Sequence, residues 1–499
     1  MQATGLTSSP DGLSFQIFGK VLAALEGVLH DYRNDIMSGE ASMIRRSGAM
    51  AAAIAVLAAC AGCVTGSGAS AVSADWPVLE AGESAAFSDE GLEALAEKMR
   101  AYVDEGHVIG MQTLLVKDGA VAHYQAYGLR QVEPEAPVTD DTIFRIYSMS
   151  KPITGVALMQ LYELDYFELD DPVAEFIPEF ADLMVLQDET EDGIPVLVEP
   201  DHSPTMKELL THTAGFAYGL GGADYANRQF REQKVLTSPD METMIDKVAA
   251  IPLLKQPGNE WYYSVAVDIQ GYLVEHFSGM RFDDYLKANV FGPLGMEDTD
   301  FIVPDEKRSR LSDLMAYSEE EERFVPNAFP PDFLGFELRE ETVGFPSGGA
   351  GLASTISDYA RFCQMMLDGG SLGDVQIISP ETVALMTRNH LPEGTGVTFS
   401  GTTALEEAMH DFGFDFGVIT DPEAMNATVG PGTYYWGGAA GTWFWIDPAN
   451  DLFFIGMVQR FGALPGEPAD FRGESQRLVY EALLPAGEGV IQTAVASAD

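Results

Sequence analysis

The sequence predicts a mixed α/β (α+β) fold, in which an antiparallel sheet is flanked by N- and C-terminal helices and holds an inserted helical region between its strands. Three observations predict it. The folded part opens with a helix, a strand, a turn and a strand. The far end has two strands and then a helix, and the segment between, from about Pro152 to Leu334, is mostly helical in pattern. The N- and C-terminal elements of the folded part are therefore predicted to form one sheet with its flanking helices.

The opening helix is predicted from Ser88, which is suited to cap it. Asp89 and Glu90 follow in the first turn, where the helix dipole favours acidic side chains. One apolar face comes next, formed by Leu92, Leu95, Ala96, Met99, Tyr102 and Val103. Two apolar runs then flank Asp118-Gly119, a dipeptide typical of tight hairpins.

The closing elements repeat this pattern in reverse. The run "GTWFWIDPANDLFFIGMVQR" predicts two strands joined by a turn at 447–451. The run "DFRGESQRLVYEALL" then predicts a final helix with Leu478, Val479, Ala482 and Leu483 facing inward.

Composition excludes several classes of partner. The 499 residues include 77 acidic and 28 basic side chains, a net charge of −49. Nucleic acid is excluded, because phosphate binding needs clustered Lys and Arg. An acidic, solvated surface is the simpler interpretation. Cys60 and Cys63 have the C-x-x-C spacing of redox or metal sites, but no second pair accompanies them and they lie at the end of a signal-like segment. The eight histidines show no ligand spacing, so we expect no metal, no cofactor and no disulfide framework.

The N-terminal part is predicted to direct export. Residues 43–63 have a basic start and an apolar stretch too short to span a bilayer, which is typical of a signal peptide. The segment ends in Leu57-Ala58-Ala59-Cys60, which resembles a bacterial lipobox. We therefore expect lipidation of Cys60 and a membrane anchor facing the periplasm or cell exterior; an ordinary signal peptide cut nearby is the alternative.

Four further segments complete the predicted organisation. Residues 1–42 precede the signal peptide and are expected to be a possible non-native extension, with Met43 as the true start, although their apolar spacing also suits an amphipathic helix. Residues 64–87 are rich in Ser, Ala and Gly and predict a flexible linker. The folded domain is expected at 88–485, followed by a tail at 486–499.

The stretch "SMSKP" places Ser148 and Lys151 three residues apart at a helix start. Pro152 is tolerated only in a first turn, which fixes that start near Ser148. Residues three apart share a helix face, so the lysine reaches the serine. Burial in the apolar helix that follows would lower the pKa of the amine and create a base beside a nucleophile. The alternative is a capping serine with a surface lysine, since a four-residue motif also occurs by chance.

Further segments place the chain beside a known family. In order they are "LDDPVAEFIPEF", "MKELLTHTAGF", "QPGNEWYYS", "FGPLGMEDTDF" and "GGAGLASTISDYARFCQMMLDGG". Together with "SMSK" they resemble serine β-lactamases and penicillin-binding proteins, especially the class C-like branch. The resemblance implies a β-lactamase/transpeptidase-like fold, with Ser148 as the acylated nucleophile and Lys151 as its base.

The family's second motif, Tyr-x-Asn, falls on Tyr263-Ser264-Val265. The resemblance implies that the Tyr263 phenol relays a proton between nucleophile and leaving group. Packing is the alternative role for this tyrosine, and Tyr262 is the rival candidate. Val265 stands where the family has an asparagine, and it cannot hydrogen-bond the amide of a β-lactam or the lysine. We assign it to the substrate pocket.

The third motif, normally Lys-Thr-Gly or His-x-Gly, falls on Trp436-Gly437-Gly438. The cation that would pair with a β-lactam carboxylate is missing, and the glycines let a substrate approach the strand. Trp436 offers an apolar wall to the pocket, or else packs in the core. By the resemblance, the amides of Ser148 and Ala439 form the oxyanion hole.

This combination resembles family VIII carboxylesterases. It implies a serine hydrolase that cleaves short-chain esters through an acyl-enzyme on Ser148. The alternatives are a β-lactamase or D-amino-acid peptidase on the same fold, and a non-catalytic envelope-binding lipoprotein. The G-x-S-x-G motif of α/β-hydrolases is absent from the chain. His212 is interpreted as structural, in a segment that the resemblance places away from the nucleophile.

Overall fold

The computed structural model describes residues 76–79, 86–326, 344–392, 395, 411–425, 427–464 and 469–485. All of them lie within the unit Ser70–Asp499. The predicted signal peptide, Cys60 and the tail at 486–499 lie outside the described residues. None of the helices in the described ranges is both long and apolar enough to cross a membrane.

The α-helices are α1 Asp89–Asp104, α2 Ser150–Glu163, α3 Met206–Leu210, α4 Tyr225–Glu232, α5 Met241–Ala249, α6 Ala266–Ser278, α7 Phe282–Leu286, α8 Gly292–Leu294, α9 Ile356–Leu367, α10 Pro380–Met386 and α11 Phe471–Ala482. The first nine strands are β1 Gly110–Lys117, β2 Ala120–Val132, β3 Glu135–Pro137, β4 Phe144–Arg145, β5 Val185–Glu189, β6 Pro195–Val198, β7 Met315–Ser318, β8 Arg323–Pro326 and β9 Ala353–Ser354. The remaining strands are β10 Ser371–Leu372, β11 Val375–Gln376, β12 Asp411–Phe412, β13 Gly417–Ile419, β14 Thr433–Gly437, β15 Trp443–Asp447, β16 Leu452–Met457 and β17 Arg460–Phe461.

The main sheet joins the two ends of the domain, as predicted. Its order is β12-β13-β14-β15-β16-β1-β2-β3, and neighbouring strands are antiparallel. Leu114 of β1 faces Ile455 of β16 at the join. Both side chains are fully buried, as suits central strands covered on both faces. The predicted fold class is confirmed.

The first and last helices pack against each other. The Ser88 side chain accepts from the Gly91 amide at 3.2 Å, which is the predicted cap. The Ser88 amide donates to the Ala482 carbonyl at 2.9 Å. A Cβ on Gly91 would overlap the Cβ of Ala482 and lie 2.7 Å from its Cα. Close contact between α1 and α11 therefore requires glycine at this position.

The inserted region surrounds helix α2, which packs against α6. Residues on every side of α2 are buried, from Ser150 to Met159, so this helix lies in the core rather than at the surface. Helix α9 packs against β16 of the main sheet. The Tyr359 hydroxyl on α9 donates to the Met149 carbonyl at 3.0 Å, which ties the start of α2 to that helix.

We predict that Gly91→Ala destabilises the domain by about 1–3 kcal/mol, because the added methyl group overlaps Ala482. Helix propensity alone would make the alanine variant more stable by roughly 1 kcal/mol. A decrease in the free energy of unfolding therefore indicates crowding against Ala482, and an increase indicates that propensity dominates. Urea unfolding measures this free energy. Glu97→Ala, an exposed site on the same helix, is the control and should change the free energy of unfolding by less than about 0.5 kcal/mol. Stabilisation by Gly91→Ala would contradict the packing.

Candidate active site

Ser148 lies in a tight turn immediately before α2. A 3₁₀ turn spans Tyr147–Met149, and the α-helix begins at Ser150, two residues later than predicted. Tyr147 has a φ of 44°, in the left-handed region that bulky side chains avoid. This backbone conformation is strained and persists only where surrounding contacts hold it. Here the Ile146 amide donates to the Leu352 carbonyl at 3.0 Å. The turn leaves Ser148 half-buried rather than sealed in the core.

The amine of Lys151 is fully buried and surrounded by three oxygen atoms. Its Nζ lies 2.8 Å from the Gly349 carbonyl, 3.2 Å from the Tyr218 hydroxyl and 3.3 Å from Ser148 Oγ. Burial lowers the pKa of Lys151 to about 7, while the nearby carboxylates of Asp268 and Asp415 act in the opposite direction. Burial therefore favours the neutral amine, which is the form that can accept a proton.

These three oxygens match the hydrogen-bonding capacity of a neutral amine. A carbonyl only accepts, so the Gly349 oxygen takes one N–H of Lys151. The Tyr218 oxygen can take the second. The lone pair then remains for the hydroxyl proton of Ser148, which is the geometry of a base beside a nucleophile.

Tyr263 completes the group from the other side of Ser148. Its hydroxyl donates to Ser148 Oγ at 2.7 Å. Lys151 Nζ lies 4.5 Å from the centre of the same ring. Burial raises the pKa of Tyr263, so the phenol keeps its proton at neutral pH. The rival Tyr262 instead has its hydroxyl bonded to the Asn227 amide at 3.0 Å. The structure thus brings Ser148, Lys151 and Tyr263 together.

Three residues of the site were missed by sequence reasoning: Tyr218, Asp268 and Gly349. Tyr218 is buried, and its hydroxyl contacts Lys151. The Asp268 carboxylate accepts from the Ser347 hydroxyl at 2.5 Å and from the Gly349 amide at 3.2 Å. A Cβ on Gly349 would lie 2.7 Å from Asp268 Oδ2 and 2.8 Å from the Tyr218 oxygen. Glycine is therefore needed where this turn meets Lys151.

Strand β14 runs beside the nucleophile turn and ends in the predicted glycine pair. Gly438 lies so close to the Ile146 carbonyl that a Cβ would overlap its oxygen. Its amide donates to the Thr442 carbonyl at 2.7 Å, which closes a tight turn in which Ala439 is exposed. The turn therefore lies within reach of the Ser148 segment, while the roles of the Ser148 and Ala439 amides stay predictions.

Trp436 is buried but belongs to the site. Its ring centre lies 5.7 Å from that of Tyr263 and 5.5 Å from that of Phe412. The indole thus packs against the ring of Tyr263 as well as forming an apolar wall.

The structure places Val265 in the hydrophobic core, whereas the sequence predicted a position in the substrate pocket. Its side chain is 0% exposed and belongs to the main hydrophobic core. The residue precedes α6, and its amide donates to the Ala217 carbonyl at 3.2 Å. The buried side chain therefore presents no exposed surface to a substrate in this conformation.

The segment around His212 was also misjudged, because it does not lie away from the nucleophile. His212 is fully buried, and its ring centre lies 5.1 Å from that of Tyr263. Six residues later the same segment supplies Tyr218. No three His, Cys, Asp or Glu side chains within the described ranges are grouped to hold a metal ion.

The comparisons with known proteins agree with this geometry. A sequence model of the beta-lactamase family matches residues 95–477. The chain belongs to the beta-lactamase family. An uncharacterized protein of Mycobacterium tuberculosis (strain CDC 1551 / Oshkosh) is 31% identical over 371 residues, which cover 72% of this chain and 88% of that protein.

Esterases are among the relatives within this superfamily. Esterase EstB of Burkholderia gladioli is 28% identical over 379 residues, covering 72% of this chain and 89% of the esterase. The solved structure of EstCE1, a hydrolase with promiscuous acyltransferase activity, matches with a TM-score of 0.64 at 25% identity. That match covers 79% of this chain and 99% of EstCE1. The predicted resemblance is confirmed, and the chain is a serine hydrolase of the β-lactamase-like superfamily.

We predict that Gly438→Ala slows covalent labelling of Ser148 by a fluorophosphonate by about 100-fold, because misplacement by about 1 Å is enough to cost that much. The added methyl group would overlap Thr442 Oγ1 and the Ile146 carbonyl oxygen, so the end of β14 and the nucleophile turn would have to move apart. Mass spectrometry of the labelled protein gives the rate.

Gly437→Ala is the matched control for this prediction. A Cβ there would meet its nearest atom, the Thr442 carbonyl oxygen, at 3.0 Å, so a smaller loss is expected. Equal losses in the two variants would show that contact with the nucleophile turn does not matter.

Proposed function

We propose that the protein is a serine carboxylesterase that cleaves short-chain esters through an acyl-enzyme on Ser148. One observation carries the proposal: Ser148 Oγ lies 3.3 Å from the buried amine of Lys151 and 2.7 Å from the phenol of Tyr263. A nucleophile thus has a base on one side and a proton donor on the other.

The first half of the reaction follows from this arrangement. Lys151 takes the hydroxyl proton while Ser148 Oγ attacks the ester carbonyl carbon. The amides of Ser148 and Ala439 stabilise the oxyanion, and each such donor contributes roughly 3–4 kcal/mol. Tyr263 then protonates the departing alkoxide and regains a proton from Lys151. The alcohol leaves, and Ser148 carries the acyl group.

Hydrolysis of the acyl-enzyme repeats these steps with water. The attacking water gives its proton to the neutral amine of Lys151, through a Tyr263 hydroxyl that passes on its own proton as it takes the new one. Lys151 then returns a proton to Ser148 Oγ as that oxygen leaves the acyl carbon. Acid and base exchange roles because the two half-reactions are mirror images.

Two residues favour esters over β-lactams and peptides. Trp436 replaces the cation that would pair with a carboxylate, and Val265 replaces an amide-binding asparagine and points into the core. An ester needs neither group, since its acyl part carries no required anion and its alcohol needs only a proton. The match to an enzyme described as an esterase, EstB, supports the same choice.

For location, we propose that the enzyme is exported and anchored through a lipid on Cys60. The basic start and short apolar stretch of residues 43–63 support this proposal. Globomycin, which blocks lipoprotein signal peptidases, should cause a heavier precursor to accumulate. An unchanged mass would contradict the anchor.

We predict turnover of nitrophenyl butyrate and little turnover of a chromogenic cephalosporin. Ser148→Ala should lower kcat on the ester by at least about 1,000-fold, and Tyr263→Phe by about 100-fold. Tyr262→Phe is the matched control, because its hydroxyl bonds Asn227, and should stay near wild type. Preferred cephalosporin turnover would favour a β-lactamase, and ester turnover that survives Ser148→Ala would refute the acyl-enzyme.

We predict that kcat/KM rises with pH through one ionisation near 7, because the base must lose its proton before it acts. Asp268→Asn should shift this acid limb to lower pH. The negative charge of Asp268 stabilises the protonated amine, so its removal lowers the pKa of Lys151. A pH profile of kcat/KM from 5 to 9 measures both effects.

Asp283→Asn is the control for charge removal, since this buried carboxylate pairs with Arg281 at 3.1 Å. It should leave the position of the acid limb unchanged. If the acid limb of the kcat/KM profile does not move in Asp268→Asn, or moves to higher pH, Lys151 is excluded as the titrating base.

A further inference from the structure

His212 contacts the chain on both sides of Tyr263. Its carbonyl accepts from the Tyr262 amide at 2.9 Å. Its ring atom Nδ1 lies 3.3 Å from the Ser264 amide and 3.1 Å from the Ser264 hydroxyl. The residues before and after the phenol are therefore held by one histidine.

The backbone of His212 is specially shaped for these contacts. Its φ is 56°, in the left-handed region where histidine and asparagine occur more often than other side chains. In this conformation the carbonyl and the ring of His212 both contact residues 262–264. The ring also packs against the Tyr263 ring, with centres 5.1 Å apart. Strain of this kind is kept only where other contacts stabilise it.

The contacts also determine which ring nitrogen carries the proton. A backbone amide only donates, so Nδ1 must accept from Ser264 and carry no proton. In a neutral ring the proton is then on Nε2. That atom lies 4.0 Å from Asp415 Oδ1, and both side chains are fully buried. Burial lowers the pKa of His212 well below its usual value, so the ring stays neutral.

We propose that His212 is the positioning residue of Tyr263: it fixes the phenol at Ser148 by holding both neighbouring residues, with Nδ1 as acceptor and Nε2 as the protonated nitrogen facing Asp415. The proposal rests on the esterase function given above. His212 itself lies behind the phenol. Its described contacts are with the residues flanking Tyr263, with Asp415 and with the rings of Tyr263, Trp261 and Phe412, rather than hydrogen bonds with Ser148 or Lys151.

Loss of the His212 contacts should slow the reaction most for esters with poor leaving groups. An alkyl alkoxide needs the phenol proton in order to depart, whereas a nitrophenolate is stable without it. A misplaced Tyr263 therefore slows ethyl butyrate more than nitrophenyl butyrate. General destabilisation would slow both esters equally, so the ratio of the two rates separates positioning from folding.

The test compares two substitutions of His212. His212→Asn keeps a side-chain acceptor near Nδ1 and tolerates the left-handed backbone. His212→Leu keeps the bulk and loses the acceptor. We expect His212→Leu to reduce kcat/KM, which reports the acylation step, on ethyl butyrate at least about tenfold more than on nitrophenyl butyrate, with His212→Asn restoring most of the loss. KM should change little in either variant.

Two controls complete the experiment. His123→Leu makes the same change at a buried histidine bonded to Thr113 at 2.9 Å, and it should leave the ratio of rates unchanged. In a Tyr263→Phe background, His212→Leu should add little further loss, because both changes act on one phenol. An unchanged ratio in His212→Leu, or full additivity with Tyr263→Phe, would overturn the proposal.

A measurement without substrate separates this inference from the proposed function. Long-range ¹H–¹⁵N NMR of the wild-type histidines should show His212 as a neutral ring with its proton on Nε2 at pH 7. A proton on Nδ1, or a charged ring, would overturn the positioning contact even in an active enzyme. Absence of ester turnover in the wild type would overturn the proposed function and leave the NMR result to decide the contact.

Discussion

The burial of one amine is the constraint on which this site depends. An ammonium ion without partners is costly inside a protein, and the cost falls when the group gives up its proton. Lys151 meets this constraint with three oxygens, at Gly349, Tyr218 and Ser148. The peptide group between Gly348 and Gly349, which precedes this carbonyl, is held at both ends. Asp268 binds the Gly349 amide at 3.2 Å, and Thr154 on α2 donates to the Gly348 carbonyl at 2.8 Å.

The buried carboxylates limit how far the amine is neutralised. Asp268 lies at the start of α6, and Asp415 lies against α2, where a Cβ on Gly155 would be 2.5 Å from its Oδ2. Both carboxylates favour the charged lysine, while burial opposes it. The balance leaves an amine that accepts a proton readily and releases it again. A base for a two-step reaction needs this reversibility, because it works in both directions.

Local patterns in the sequence predicted the fold and the central trio of side chains. The Asp118-Gly119 turn and the apolar runs at both ends identified strands that meet in one sheet, since hairpin chemistry and alternation are local properties. The resemblance supplied Tyr263. The same reasoning failed for Tyr218, Asp268 and Gly349, whose roles arise from contacts between distant segments. A tyrosine after a loop or an aspartate in a first helical turn has no pattern that distinguishes a site residue from a structural one.

Two other features could not be predicted from the sequence. They are the buried position of Val265 and the strand pairing of residues 185–198. Comparison of motifs aligned Val265 with a pocket residue, but a hydrophobic side chain turns towards the core when the backbone allows it. In the segment at 185–198, polar residues obscure the two-residue alternation that identifies a strand. This segment forms a hairpin of β5 and β6. Pairing with a neighbouring strand, rather than composition, determines whether such a segment forms a strand or a loop.

The pairing of β1 with β16 has a consequence for the timing of activity. Strand β14, which borders the nucleophile turn, is connected through β15 and β16 to β1, near the beginning of the domain. Such non-local pairing forms late, because the chain between the strands must first be brought together. A ribosome that has released Ser148, Lys151 and Tyr263 has therefore not yet released a working catalyst. The catalytic group is therefore not held in place until synthesis passes Met457, so a partly translated chain lacks the sheet that supports the nucleophile turn.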